Sequence, residues 1–227
     1  MSNNVVNYQM KIKRLVVIAL FAALAYVSTL VIHIPVPPFL TLDFKDAVIT
    51  LAAMSLGPVA GIVVSAVAAF LEFITISGTG VHGLIMNFLG SAVFSVVAAS
   101  IYKYKKTLFG GVIGLVAAVF AMTATMILAN ILITPHFMTN PNQTVTVGDV
   151  VKMIPKIFFP FNLLKAITNA ALVIGFYKPV SNGLKAIGAV NRKNDEKIKF
   201  DKITVLLLFC AAVVATISIT VMFYVMG

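Results

Sequence analysis

Tryptophan is absent from this chain, cysteine occurs once, and only seven side chains are acidic. Each shortage excludes something. Cys210 lies alone in an apolar run and builds neither a disulfide framework nor a zinc site. Three of the seven carboxylates, Asp195, Glu196 and Asp201, fall in one basic stretch. Ion-coupled pumps carry carboxylates inside their spans, and only Glu72 is a candidate on the sequence. The P-loop pattern G-x-x-x-x-G-K-[ST] is missing, as are H-E-x-x-H, G-x-S-x-G and paired intramembrane carboxylates. The expectation is a chain that is not an enzyme, carries no cofactor and does not hydrolyse nucleotide by that mechanism.

What is present is apolar. Hydrophobic residues make up 60% of the 227 positions and charged residues 11%, with a mean hydropathy of +1.05. A soluble domain of this size cannot hide that much apolar surface. Repeated stretches of about 20 apolar residues fit an all-α, polytopic membrane bundle. The net charge of +10 raises the idea of nucleic acid, but the basic residues sit between apolar spans. Membrane topology is the simpler reading, and no nucleic-acid partner is expected.

Pro, Gly and charge divide the chain. The first span runs from about Leu15 to Ile32 and ends at Pro35-Val36-Pro37-Pro38, which cannot continue a helix. A short span covers Ala47 to Leu56, Gly57-Pro58 breaks it, and a third follows to Ile76. After the Ser77–Gly80 turn a fourth span reaches Tyr102. The fifth runs from about Leu108 to Thr134 and stops at Pro135, a polar loop covers Asn140 to Lys152, and the sixth runs from about Ile154 to Phe176. Residues 1–180 thus form the main bundle, residues 181–202 a basic connector, and residues 203–227 an additional C-terminal transmembrane helix. No cleavable signal peptide is evident, because the first apolar segment is long and lacks a clear cleavage site before His33. The positive-inside rule puts the N-terminus in the cytoplasm and the C-terminus outside. Cytoplasmic segments then hold Lys11, Lys13, Arg14, Lys103, Lys105, Lys106 and seven basic residues from Lys178 to Lys202, while outer segments hold Lys45, Lys152 and Lys156.

Lys165 is the anomaly. It lies inside an apolar stretch, where a cation costs about 2.5–3.5 kcal/mol on the lenient insertion scale. Asn162, three residues earlier, shares its helix face. An amide donates and accepts, an ammonium only donates, so this face suits a neutral ligand with carbonyls beside an N–H. The alternative is that Lys165 snorkels to the outer surface. Asn130 and Asn87 are open between interhelical hydrogen bonds and ligand contact. Glu72 reads as solvated or paired near the outer end of span three rather than as a proton carrier. His33, His82 and His136 fall on the outer rim at the ends of different spans, and a metal site there is disfavoured. Ala19 and Ala23 give an A-x-x-x-A face that lets another helix approach closely, within the bundle or on a partner.

The blocks Leu40-Thr41-Leu42-Asp43-Phe44, Leu56-Gly57-Pro58-Val59-Ala60-Gly61, Gly83-Leu84-Ile85-Met86-Asn87-Phe88-Leu89-Gly90 and Pro160-Phe161-Asn162-Leu163-Leu164-Lys165 come in order over about residues 10 to 180. Together they resemble the substrate-binding S components of energy-coupling factor (ECF) vitamin transporters, and the last block resembles the riboflavin-specific S components. The resemblance implies a six-helix bundle that binds riboflavin as a transported ligand near its outer face. The first loop would lid the site, with Leu40 and Thr41 covering the ligand. Asn130, Asn162 and Lys165 would meet the polar edge of the isoalloxazine ring, and Asn87 falls among the ligand-lining positions. The Ala19/Ala23 face would meet a transmembrane coupling subunit driven by two ATPase subunits, in a setting of membrane lipid. Span three reads Val67-Ala68-Ala69-Phe70-Leu71-Glu72 where the family pattern carries a lysine and an asparagine, so the resemblance assigns it no particular ligand contact. The helix beyond residue 200 has no counterpart in the six-helix plan. The alternatives are an S component for FMN or another vitamin, or a standalone membrane carrier.

Overall fold

The structure, a computed structural model, describes residues 3–139 and 144–190 together with scattered positions between 206 and 221. Among the described residues up to 190, seven helices carry the fold: α1 (Asn3–Val31), α2 (Lys45–Leu56), α3 (Pro58–Thr75), α4 (Gly80–Tyr104), α5 (Leu108–Met138), α6 (Val147–Met153) and α7 (Phe159–Ala186). A π-turn, Ile154–Phe158, fuses α6 to α7. Among the described residues five segments are long and apolar enough to cross a membrane: Tyr8–Val31, Pro58–Thr75, Gly80–Tyr104, Leu108–Met138 and Val147–Ala186. Large apolar side chains such as Leu20, Leu24, Phe70, Ile74, Phe120 and Leu132 point outward, as a lipid-facing surface requires.

The sixth bundle member, α2, has only 12 residues, nearly all buried. A stretch that short is a buried core helix rather than a span. Its small residues Ala47, Ala52 and Ala53 let neighbouring helices close around it. Gly57, at φ +104°, takes a backbone conformation that L side chains rarely adopt. Pro58 then opens α3, where its missing N–H costs nothing. The Arg14 side chain donates to the Leu56 carbonyl at this turn, pinning α1 to the end of α2. At the same end of the bundle, Tyr177 donates to Tyr102, linking α7 and α4 at 2.7 Å.

The opposite end carries a feature the Pro-rich loop did not predict. Ile34–Val36 (β1) and Leu40–Leu42 (β2) pair antiparallel, Ile34 opposite Leu42 and Val36 opposite Leu40, around a cis Pro37–Pro38 bond. Val36, Leu40 and Leu42 bury against Val150, Phe158 and Phe161, and Phe39 packs edge-on against Phe137 at 4.7 Å. Three other expectations shift. Helix α5 continues through Pro135 to Met138, because a proline in the last turn removes only one hydrogen bond. The polar loop before span six contains α6, started by a capping box between Thr146 and Asp149. Helix α7 also runs on to Ala186, into the segment expected to be connector. The additional helix expected over residues 203–227 lies mostly outside the described residues. The positions described there are helical, and Leu206, Phe209, Val213 and Ile217 among them are exposed.

Candidate functional site

Beneath the hairpin lies a cavity of about 650 Å³, within the range that encloses a drug-sized ligand. The hairpin residues Val36 and Phe39 to Thr41 roof it. Met86, Met122, Met126 and Phe161 supply apolar wall, and Asn162 and Lys165 supply a polar edge from α7. The hairpin is therefore a lid held on by its own aromatic contacts with α5 and the π-turn.

A chain of buried charge supports this cavity. The Lys165 ammonium donates to Asp43 Oδ2 at 3.0 Å and to the Thr41 carbonyl at 3.3 Å. Lys45 Nζ lies 3.7 Å from the same Asp43 oxygen and 2.6 Å from Glu72 Oε2. Asn87 Nδ2 donates to that Glu72 oxygen at 2.9 Å, and Thr29 donates to Glu72 Oε1. The contacts run unbroken from α7, through the lid base and α2, to α3 and α4. Asp46, at the start of α2, accepts from Ser91 through one oxygen. Its other oxygen is buried without a hydrogen bond, 4.0 Å from Lys165. Burial alone would raise the Asp43 carboxyl, but the Lys165 and Lys45 ammoniums outweigh it and hold it below the ordinary carboxylate range. Asn169, one turn after Lys165, donates to the Asp43 carbonyl and the Lys165 carbonyl and accepts from the Ala47 N–H. It ties the lid base and α2 to α7.

Residues 13–177 match the family model described as ECF transporter, substrate-specific component. This chain belongs to that family. It is 35% identical over 178 residues to the riboflavin transporter RibU of Staphylococcus aureus (strain TCH60), covering 77% of this chain and 94% of that protein. It is 30% identical over 166 residues to the riboflavin transporter FmnP of Bacillus subtilis (strain 168), covering 70% and 86%. A solved structure described as the S component of a bacterial ECF transporter superposes with a TM-score of 0.64 at 34% identity, covering 77% of this chain and 99% of that one.

In this S component the predicted site residues separate into groups. Leu40, Thr41, Asn87, Asn162 and Lys165 all line the cavity. Asn130 is not among the lining residues. Its amide donates to the Met126 carbonyl and its oxygen accepts from Thr134, so it is satisfied within α5. Ala19 and Ala23 lie on the exposed face of α1, while Ala22 and Ala25 are buried. Lys165 does not snorkel. It is 7% exposed, and its charge is met first by Asp43 and the lid backbone. His33 reaches the cavity wall and His82 packs near Phe137. Among the described residues no group that could hold a metal ion forms.

Two readings need correction. Lys45 is not an outer-segment cation: it is 2% exposed and salt-bridged inside the bundle. Glu72 is not the only embedded carboxylate, because Asp43 and Asp46 are buried beside it. Span three, to which the resemblance assigned no particular contact, contributes Glu72 to the cavity lining. Glu72 is paired, as one of its two readings held. Asn169, wholly buried, was missed. Its only sequence signal is its place one turn beyond Lys165 on the same face.

Proposed function

We propose that this S component binds riboflavin in the lidded cavity and carries it into the cell as the substrate-binding subunit of an ECF importer. The polar edge on α7 carries the reading. Asn162 spends its NH₂ group on the Phe158 carbonyl at 2.7 Å, which leaves its oxygen as an acceptor. Lys165 supplies a donor beside it. The flavin pyrimidine edge offers the complement, an imide N–H flanked by carbonyls, and its dimethylbenzene end suits the Met and Phe walls. The names of the two relatives point the same way. The lidded end faces outward by the charge asymmetry of the loops, which leaves the N-terminus in the cytoplasm and the C-terminus outside. A coupling subunit and two ATPases supply the energy, since this chain has no nucleotide-binding motif. The exposed Ala19/Ala23 face of α1 meets that coupling subunit.

Purified protein is expected to quench riboflavin fluorescence on titration. In the same assay Asn162→Ala weakens binding by about 1–3 kcal/mol, the cost of leaving a buried polar group unpaired. Failure to quench by the wild-type protein overturns the riboflavin reading. Unchanged affinity in a folded Asn162→Ala variant moves the ligand away from α7.

A further inference from the structure

A second cavity, of about 520 Å³, lies at the end of the bundle opposite the lid, where α1 begins and α2 and α7 end. Helix α1 brings Lys11 and Arg14 to it, and the end of α2 brings Ser55. The turn after α7 makes the last wall. Gly188, at φ +70°, takes the left-handed conformation that closes a helix. Its N–H donates back to the Lys185 carbonyl and that of Ala189 to the Leu184 carbonyl, which folds Ala189 and Val190 onto the cavity. Lys13 Nζ stands over the same turn, 3.8 Å from where a Cβ on Gly188 would be.

The polar side chains here are donors. Arg14 gives one N–H to the Leu56 carbonyl and has others left, and Lys11 brings an ammonium. The Ser55 hydroxyl is buried with no hydrogen-bond partner among the described residues. Nor is there a counter-charge: the four described carboxylates, Asp43, Asp46, Glu72 and Asp149, stand at the lidded end. Cations beside a spare hydroxyl suit a phosphate, to which both Arg and Lys donate charge-assisted hydrogen bonds. The level of the site says where the phosphate comes from. Leu15 and Val16, directly after Arg14, are 66% and 53% exposed and face lipid, so the basic side chains sit at headgroup height. The rest of the lining, Met10 and Leu56 included, is apolar and matches the glycerol region of a lipid better than a solvated ion. Met10, Arg14, Phe21 and Ala25 recur at helical spacing, and the last two are buried. The site therefore lies on the inward face of α1, apart from the Ala19/Ala23 face. We propose that this cavity binds the headgroup of an anionic phospholipid, with Lys11 and Arg14 holding its phosphate and Ser55 donating to it. The proposal does not depend on which vitamin the lidded cavity takes.

The test follows thermal melting of the full-length protein in neutral detergent while dioctanoyl-phosphatidylglycerol, dioctanoyl-phosphatidylcholine or inorganic phosphate is added. A ligand of the folded state raises the midpoint as its concentration rises. Phosphatidylglycerol is expected to give a saturable rise, phosphatidylcholine a smaller one, and inorganic phosphate at the same concentration none. In Lys11→Gln/Arg14→Gln the apparent phosphatidylglycerol affinity should fall about thirtyfold, about fivefold for each charge lost. Glutamine keeps an N–H for the Leu56 carbonyl, and Lys11→Gln alone, expected to lose about fivefold, leaves the Arg14 tie to α2 intact should the double variant fail to fold. The pair Lys105→Gln/Lys106→Gln, exposed before α5 and outside the cavity, should retain the wild-type response. Equal shifts from the two lipids overturn the proposal, as does a full shift from phosphate alone. Unchanged affinity in a folded Lys11→Gln/Arg14→Gln protein overturns it too, and an equal loss in the Lys105/Lys106 pair reduces it to general surface charge. A lipid preference that emerges only in Asp195→Asn/Glu196→Gln gives the cavity to the chain's own acidic residues and likewise overturns it.

Discussion

The buried cluster holds three carboxylates, Asp43, Asp46 and Glu72, against two ammoniums, Lys45 and Lys165. That imbalance makes two removals of opposite sign unequal. At an effective dielectric of about 20, an ammonium–carboxylate attraction is roughly 5 kcal/mol at the 3.0 Å of Lys165–Asp43 and roughly 4 kcal/mol at the 4.0 Å of Lys165–Asp46, before desolvation. Lys165→Met removes both and leaves three carboxylates facing Lys45 alone. Breaking a buried pair this way costs about 3–5 kcal/mol. Asp43→Asn keeps the shape, relieves repulsion on Asp46 and Glu72, and leaves two carboxylates with two ammoniums. Lys165 can then move toward the unpartnered Asp46 oxygen. Its expected cost is about 1–2 kcal/mol, closer to an ordinary hydrogen-bond loss. The double variant should fall below Lys165→Met, since it strands fewer charges. The chain has no tryptophan, so far-UV circular dichroism of the detergent-solubilised protein during denaturant titration is the suitable readout. An Asp43→Asn variant as unstable as Lys165→Met would refute the charge-balance reasoning and favour a purely geometric role for the Asp43–Lys165 bridge.

Two further predictions concern helix faces. Ala19→Leu and Ala23→Leu, on the exposed side of α1, are expected to retain riboflavin binding in detergent but to lose uptake in cells that carry the full transporter; normal uptake would remove this face from the coupling interface. Gly114→Ala would set a methyl group 2.7 Å from the Ala98 carbonyl, where α5 crosses α4 with no flexible side chain to yield. It should destabilise the fold by about 1–3 kcal/mol, measured by the same denaturant titration, and a wild-type midpoint would show that the two helices can part without cost.

Much of this architecture is legible in the sequence because the membrane makes local signals strong. Long apolar runs, Pro and Gly breaks and clustered lysines mark the spans, and over the described residues the structure keeps them, with α1 beginning earlier, at Asn3, and α7 ending later, at Ala186. The α7 edge is legible for the same reason: an amide and an ammonium stand out in an apolar run. The rest depends on contacts far apart in sequence. Asn130 reads the same as Asn162 locally, yet only Asn162 lines the cavity, because helix rotation decides and α5 satisfies Asn130 internally. The hairpin escapes notice because Pro35, Pro37 and Pro38 suppress the strand signal, and its register is held by packing on α6 and α7.

Lys45 is the instructive miss. It follows a Pro-rich loop and sits between Asp43 and Asp46, which by local composition reads as a solvated turn; its partner Glu72 is 27 residues away. A physical argument could still have found it. The segment from Ala47 to Leu56 is apolar on nearly every face and too short to cross a bilayer. A helix of that kind has neither water nor lipid on any side, so it must be enclosed by the other spans. Its first turn is then enclosed as well, and the charges there, Lys45 and Asp46, have to find partners within the bundle. The lone carboxylate of span three, Glu72, is the partner at hand. Lys45 and Asp46 also line the cavity in this chain, so the short helix, more than any single span, indicates where the buried charges gather and where a ligand would sit beside them.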